Sequence, residues 1–131
     1  MCIFCEIIKG NIPSKKIYED DKVLAILDIS QITKGHTLIL PKKHFDNFLD
    51  IDDEYTNAVF TAAKKVTKMI NNAYKPEGFN IINNCGETAG QSVMHFHVHV
   101  VPRYNKEDLV MQHADNSNKF NLDEIVKDIT K

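Results

Sequence analysis

No hydrophobic run in this 131-residue chain approaches the roughly 20 residues that a membrane-spanning helix needs. The opening residues, Met1-Cys2-Ile3-Phe4-Cys5-Glu6, carry no basic segment and no extended apolar stretch, so they do not read as a signal peptide. Neither sign of charge dominates. Sixteen Lys and Arg are interleaved with 18 Asp and Glu for a net charge of −2, which leaves neither a nucleic-acid footprint nor an electrostatic membrane anchor. Cysteine is scarce and odd in number, three residues, which does not suit a disulfide framework; a cytoplasmic setting is the expectation. There is no internal repeat, low-complexity tract or domain break. With 43% hydrophobic residues the chain has material for one core and reads as a single domain over residues 1–131.

The local patterns alternate between short strands and helices. Cys2 to Lys9 suits a short helix stopped by Gly10. Lys16 to Tyr18 and Val23 to Asp28 read as strands joined by a turn over Glu19 to Lys22. His36 to Leu40 reads as a third strand closed by Pro41. Asp52 is an N-cap for a long helix over Asp53 to Tyr74, with Tyr55, Val59, Ala62, Val66, Met69 and Ala73 at spacings of three and four as its buried stripe. Pro76 and Gly78 end it. Phe79 to Asn83 and Met94 to Val101 complete five strands, and Leu122, Ile125, Val126 and Ile129 mark a small terminal helix. Strands, one long helix and then strands make an α+β domain with an antiparallel sheet. Its core spans residues 2–103, followed by a polar tail and short helix over 104–131.

The strand from Met94 carries three of the six histidines at two-residue spacing. A strand sends alternate side chains to opposite faces, so His95, His97 and His99 project together while Phe96, Val98 and Val100 enter a core. Three imidazoles on one ridge can bind a metal, gather phosphate charge or supply a nucleophile. A solvated face is the better account of a lone His-X-His, but not of three in register followed by Pro102-Arg103. Cys2-X-X-Cys5 has the spacing of half a tetrahedral metal site, and His44 and His95 are the candidates to complete it. Two buried thiols without metal is the competing reading. Cys85 and His113 sit in no motif, and the reach of Arg103 stays open.

His95-Phe96-His97-Val98-His99-Val100-Val101 resembles the signature of the histidine triad (HIT) family of nucleotide hydrolases and transferases. Gly35-His36-Thr37-Leu38-Ile39-Leu40-Pro41-Lys42 resembles the family's upstream histidine segment, and Gln91-Ser92 its Gln-Ser pair. The resemblance spans Cys2 to about Arg103 and is similar to the Hint-like branch; the longer transferases put glutamine where this chain has His99. It implies a HIT-like fold whose sheet extends across a homodimer, and a purine nucleotide substrate. It also implies that His97 attacks the α-phosphate to give a nucleotidyl-histidine, from which water releases AMP or GMP.

The remaining roles follow from the same resemblance. His99 and His36 would support His97, Ser92 and Gln91 would meet the phosphate or the leaving atom, and Asn84, ahead of a loop with Gly86 and Gly90, would bind phosphate. Asp28 would accept hydrogen bonds from the ribose. Ile3, Phe4, Ile7, Ile26 and Ile29 would form an apolar slot for the base, which reads few polar edges and so selects modestly among purines. The resemblance also counts His95 among the catalytic residues; bacterial relatives with this Cys-X-X-Cys start imply structural Zn2+ on Cys2, Cys5, His44 and His95, in which case His95 is not free to act as an acid. No organic cofactor is expected. Two alternatives stay open: a dinucleoside polyphosphate hydrolase, for which 105–119 would have to leave room for a second nucleotide, and a nucleotide-binding or scaffolding module.

Overall fold

The computed structural model describes all residues, Met1–Lys131. Five strands, β1 (Lys16–Glu19), β2 (Val23–Leu27), β3 (Thr37–Pro41), β4 (Gly78–Ile82) and β5 (Val98–Arg103), form one antiparallel sheet in the order β1-β2-β3-β5-β4. Three helices accompany it: α1 (Ile3–Ile8), α2 (Asp53–Tyr74) and α3 (Leu122–Ile129). No helix is long and apolar enough to cross a membrane.

The period-two pattern of the strands divides the core into two layers. Val23 and Ala25 of β2, Ile39 of β3 and Val98 and Val100 of β5 face α2, where Val59, Ala62, Ala63, Val66 and Ile70 cover them. Leu24, Ile26, Leu38 and Leu40 point to the opposite face and meet Phe4 and Ile7 of α1. His97 and His99, out of phase with Val98 and Val100, therefore emerge on the α1 face. Burying a side chain of this size contributes about 1.5–3 kcal/mol, so the two layers are the main force holding the histidine strand in place.

Helix α2 has the expected bounds, and the Asp52 carboxylate caps it by accepting from the Tyr55 N–H at 2.8 Å. Its stripe differs from the expected one near the end. Met69 is 44% exposed and Ala73 is exposed, while Ile70 is buried. The 3.6-residue period moves the stripe toward position 70, and α2 reaches past the sheet there. The helix ends at Lys75 in a left-handed conformation, φ +48°, one residue before Pro76.

The histidine strand is shorter than expected at its start. Ladder pairing begins at Val98, so Met94 to His97 approach the sheet as irregular chain whose side chains still alternate. Two bonds outside the sheet hold that lead-in: Phe96 N–H donates to Phe45 O at 2.7 Å, and Asn83 Nδ2 donates to His97 O at 2.9 Å. At the other end β5 continues through Pro102 to Arg103. Proline is accepted because β3 pairs only as far as Val100, leaving no ladder donor required on that side. The tail beyond Arg103 lies off the sheet. The Arg103 guanidinium ties its first turn down through Lys106 O at 3.0 Å, Leu109 O at 3.1 Å and Asn80 Oδ1 at 2.6 Å.

Candidate active site

The protonation pattern of the buried imidazoles follows from partners that can play only one role. A carbonyl oxygen can only accept and a backbone N–H can only donate. His97, 5% exposed, has Nδ1 2.7 Å from His95 O, so Nδ1 carries the proton and Nε2 keeps a bare lone pair. His95, fully buried, has Nε2 3.0 Å from Pro41 O, so its bare nitrogen is Nδ1. His36 Nδ1 accepts from the Ile32 N–H at 3.2 Å, and its Nε2–H then donates to His99 Nδ1 at 3.0 Å. His99 is left with Nε2–H as a donor. Burial lowers the basicity of all four rings, that of His95 and His99 to about 4, with neighbouring imidazole charge adding to the effect. All four are therefore neutral at pH 7.

His97 and His99 open into a cleft of about 290 Å³. Phe4, Ile3 and Ile7 of α1 form one wall, and Ile26, Ile29 and Leu38 the other, so the five apolar residues expected to receive a base all line it. Phe4 meets the His97 ring edge-on, with centroids 5.1 Å apart. Asp28 stands at the end of β2 with Oδ1 accepting from the Ser30 N–H at 2.8 Å; Oδ2 faces His36 Nε2 at 3.6 Å, beyond hydrogen-bond length. The exposed Ser92 completes the rim. The Asp28, His36 and His99 cluster has a metal-like shape, but ligation through His36 Nε2 would move its proton to Nδ1, against the Ile32 N–H. The chain of hydrogen bonds here runs from the Ile32 N–H through His36 to His99, with Asp28 beside it.

Gln91 and Asn84 stand differently from the groups in the cleft. Gln91, 3% exposed, gives Nε2 to Asp46 O at 2.6 Å and Val93 O at 3.0 Å, and its Oε1 accepts from the Gly86 N–H at 2.8 Å. Every polar atom of that side chain is engaged with backbone, so it pins the 86–92 loop. Asn84, half-buried, makes one long contact, Nδ2 to Gly90 O at 3.4 Å. Gly90 has φ +101°, and a Cβ there would meet the Asn84 amide at 3.4 Å. Neither Gln91 nor Asn84 lines the cleft.

A second cluster lies behind the first. His44 Nε2 meets Asp46 Oδ1 at 2.7 Å, which holds the proton on Nε2, raises the basicity of the ring and turns Nδ1 inward. His44 Nδ1 is 3.1 Å from His95 Nδ1 and 3.4 Å from Cys5 Sγ; His95 Nδ1 is 3.4 Å from Cys2 Sγ and 3.5 Å from Cys5 Sγ. Tetrahedral Zn2+ with bonds of about 2.0–2.1 Å to nitrogen and 2.3 Å to sulfur sets neighbouring donors about 3.3–3.8 Å apart. The four donor atoms, two of them facing imidazole lone pairs, fit that metal. Both histidines also have the outer partner that ligating imidazoles need, Asp46 and Pro41 O. Cys85 and His113 join neither cluster; His113 is exposed beside Ala114 O.

Four participants were not singled out from the sequence. Asn83 holds the carbonyl of His97, Asp46 orients His44, and the Ile32 amide and the Pro41 carbonyl set two tautomers. Asn83 and Asn84 are adjacent, and nothing in the pattern says which faces the histidine strand. The acid two residues after His44 was the legible signal for Asp46.

Comparison with known proteins places this geometry among relatives. The family model described as HIT domain matches residues 9–106. The chain is 48% identical over 134 residues to the protein named Protein hit of Bacillus subtilis (strain 168), covering 99% of this chain and 92% of that one. It is 42% identical over 106 residues to adenosine 5′-monophosphoramidase hnt1 of Schizosaccharomyces pombe, covering 81% and 77%. The crystal structure of a HIT family member from Bacillus subtilis superposes with a TM-score of 0.92 at 45% identity, covering 98% and 94%. A Zn-bound histidine triad protein from Mycobacterium smegmatis does so at 0.79 and 35%, covering 90% and 86%.

Proposed function

The chain belongs to the HIT domain family, and from that premise we propose that it is a nucleotide hydrolase, in its most concrete form a purine nucleoside phosphoramidase. The observation that carries the reading is the 2.7 Å bond from His97 Nδ1–H to His95 O, which leaves a neutral imidazole lone pair at the wall of an apolar cleft. The naming of the Schizosaccharomyces pombe relative as an adenosine 5′-monophosphoramidase supports the substrate class.

His97 Nε2 attacks the α-phosphorus of the nucleotide. A P–N bond to the ring forms, the bond to the leaving nitrogen breaks, and that nitrogen takes a proton from water at the exposed Ser92 hydroxyl. The phosphorylated ring is an imidazolium, and His95 O stabilises its charge by accepting from Nδ1–H. Water then attacks phosphorus, the electron pair returns to Nε2, and AMP or GMP leaves with release of a proton. His99 Nε2–H, held by the donor chain from Ile32 through His36, stabilises the phosphoryl oxygens as their charge develops. Asn84, held by only one long bond, adds a donor ahead of the loop, and Gln91 holds that loop in place. Asp28 accepts from the ribose hydroxyls, and the α1 wall sandwiches the base.

Zn2+ would sit on Cys2, Cys5, His44 and His95, where it supplies a structural tie between the N-terminus and the histidine strand and no acid. His95, with Nε2–H on Pro41 O and Nδ1 toward the metal, takes no part in proton transfer. A homodimer is part of the same reading: β4 is an edge strand, and its exposed Ile81 beside Phe60 of α2 suits a partner sheet joined there.

The test is AMP release from adenosine 5′-phosphoramidate, run beside diadenosine tetraphosphate, for the wild type and His97→Ala. Release from the phosphoramidate that vanishes in the variant supports the proposal. Faster cleavage of the dinucleotide replaces it with a dinucleoside polyphosphate hydrolase. Release from neither leaves a nucleotide-binding module.

A further inference from the structure

The two clusters share three mechanical connections. Helix α1 is the first: Cys2 caps it and Cys5 lies in its first turn, while Phe4 and Ile7 of the same six residues form a wall of the cleft. His95 is the second, since its ring faces the thiols and its carbonyl holds the tautomer of His97. The third runs from His44 to the Asp46 carboxylate and from Asp46 O to the amide of Gln91, which pins the 86–92 loop beside Ser92. A helix of six residues is far below the ~12–15 that hold a helix in isolation, so α1 depends on what its ends are fastened to.

We propose that the Cys2/Cys5/His44/His95 centre is a redox latch on the nucleotide cleft, resting on the nucleotide reading above. With both thiols reduced and Zn2+ bound, the latch holds α1 against the cleft and His95 in the position that orients His97. A hydroperoxide opens it. One thiolate attacks the peroxide oxygen to give a sulfenic acid with loss of water or alcohol, and the second thiolate displaces hydroxide to close a Cys2–Cys5 disulfide. Two electrons pass from the sulfurs to the peroxide, and the metal leaves because neither sulfur remains a thiolate ligand.

The geometry permits the closure. Cys2 Sγ already accepts from the Cys5 N–H at 3.3 Å, which folds the two side chains to one side of the helix start, and the four donor atoms of the centre lie within 4.8 Å of one another. His44 is 39% exposed at its side chain, so peroxide and departing metal have a path. Closing the disulfide draws the sulfurs away from His44 and His95 and frees the start of α1 from the histidine strand. Phe4 then keeps only its apolar contacts, and the cleft wall loosens.

The experiment uses full-length protein carrying Cys85→Ser, so that only the paired thiols react. It is loaded with Zn2+ and treated with stoichiometric hydrogen peroxide. Released zinc is read with a chromophoric chelator, thiols by titration, AMP affinity by calorimetry, and protection of residues 2–9 by hydrogen exchange. Expected are one zinc released per two thiols lost, faster exchange in 2–9, and AMP binding weakened about fivefold or more, all restored by dithiol reductant with added Zn2+. Zinc that stays bound, or a disulfide that forms without change in exchange or AMP affinity, overturns the latch. If the reduced zinc protein binds no AMP, the nucleotide reading fails by itself, and the exchange data still decide whether oxidation frees α1.

Discussion

Gln91 offers a sharp perturbation because the sequence and the structure suggest different work for it. Replacing it with alanine removes the buried partner of three backbone groups on partly exposed chain, the Gly86 N–H and the carbonyls of Asp46 and Val93. At a net ~0.5–1.5 kcal/mol per bond the loss sums to about 1.5–4.5 kcal/mol. For a chain of this size each kcal/mol corresponds to roughly 3–5 °C, so the melting temperature should fall by about 10 °C. Gln91→Glu is the informative companion. A carboxylate keeps the acceptor for Gly86 but sets a negative oxygen against two carbonyls, so it should destabilise at least as much as alanine. Thermal melts followed by circular dichroism, with AMP affinity measured well below the transition, separate the two roles. A melting temperature within about 2 °C of wild type together with lost AMP binding would refute the pin and make Gln91 a substrate contact.

Other consequences can be checked singly. Phe96, fully buried among Ile39, Val59 and Val98, should cost about 3–5 kcal/mol on replacement by alanine, measured by urea unfolding. Burial holds His97 below the ordinary histidine value and His99 at about 4, so both keep their lone pairs as acid is added; the acid limb of kcat/KM should lie below pH 6.5, and a limb above it would contradict the neutral-ring assignment. The same shift affects folding. The native state binds fewer protons than the unfolded chain between about pH 4 and 6.5, so stability is full above 6.5 and declines as pH falls toward 4, a trend visible in melting temperatures at pH 7 and 5. Asp46→Asn removes the carboxylate behind His44 and should weaken zinc affinity about 10–100-fold in a chelator competition, with little change in AMP affinity while zinc is saturating.

The parts of the fold written in local pattern were legible. Helix α2 lies where its period and the Asp52 cap put it, and the alternation of Phe96, Val98 and Val100 with the histidines sorted the two faces correctly. Strand order was not legible, because the insertion of β5 beside β3 depends on a pairing more than 50 residues apart. The start of β5 was misplaced for a related reason: alternation persists through Met94 to His97, but the ladder partners needed to make it a strand are absent there. In the site, residue types with distinctive chemistry could be picked out, whereas backbone groups could not. The Ile32 amide, the Pro41 carbonyl and the His95 carbonyl decide three tautomers, and no side-chain pattern announces a backbone group. Gln91 shows the converse, a side chain noticed in a motif whose burial only the fold reveals.

The most direct measurement is a search for the covalent intermediate. Zinc-loaded protein is mixed with adenosine 5′-phosphoramidate, stopped within the first turnovers in alkaline denaturant, which preserves acid-labile P–N bonds, and digested for mass spectrometry. A nucleophilic His97 requires a peptide heavier by an adenylyl group with the added mass on His97, and no such peptide from His97→Ala. Turnover with no adduct on His97, or an adduct on Ser92 or another histidine, would contradict it.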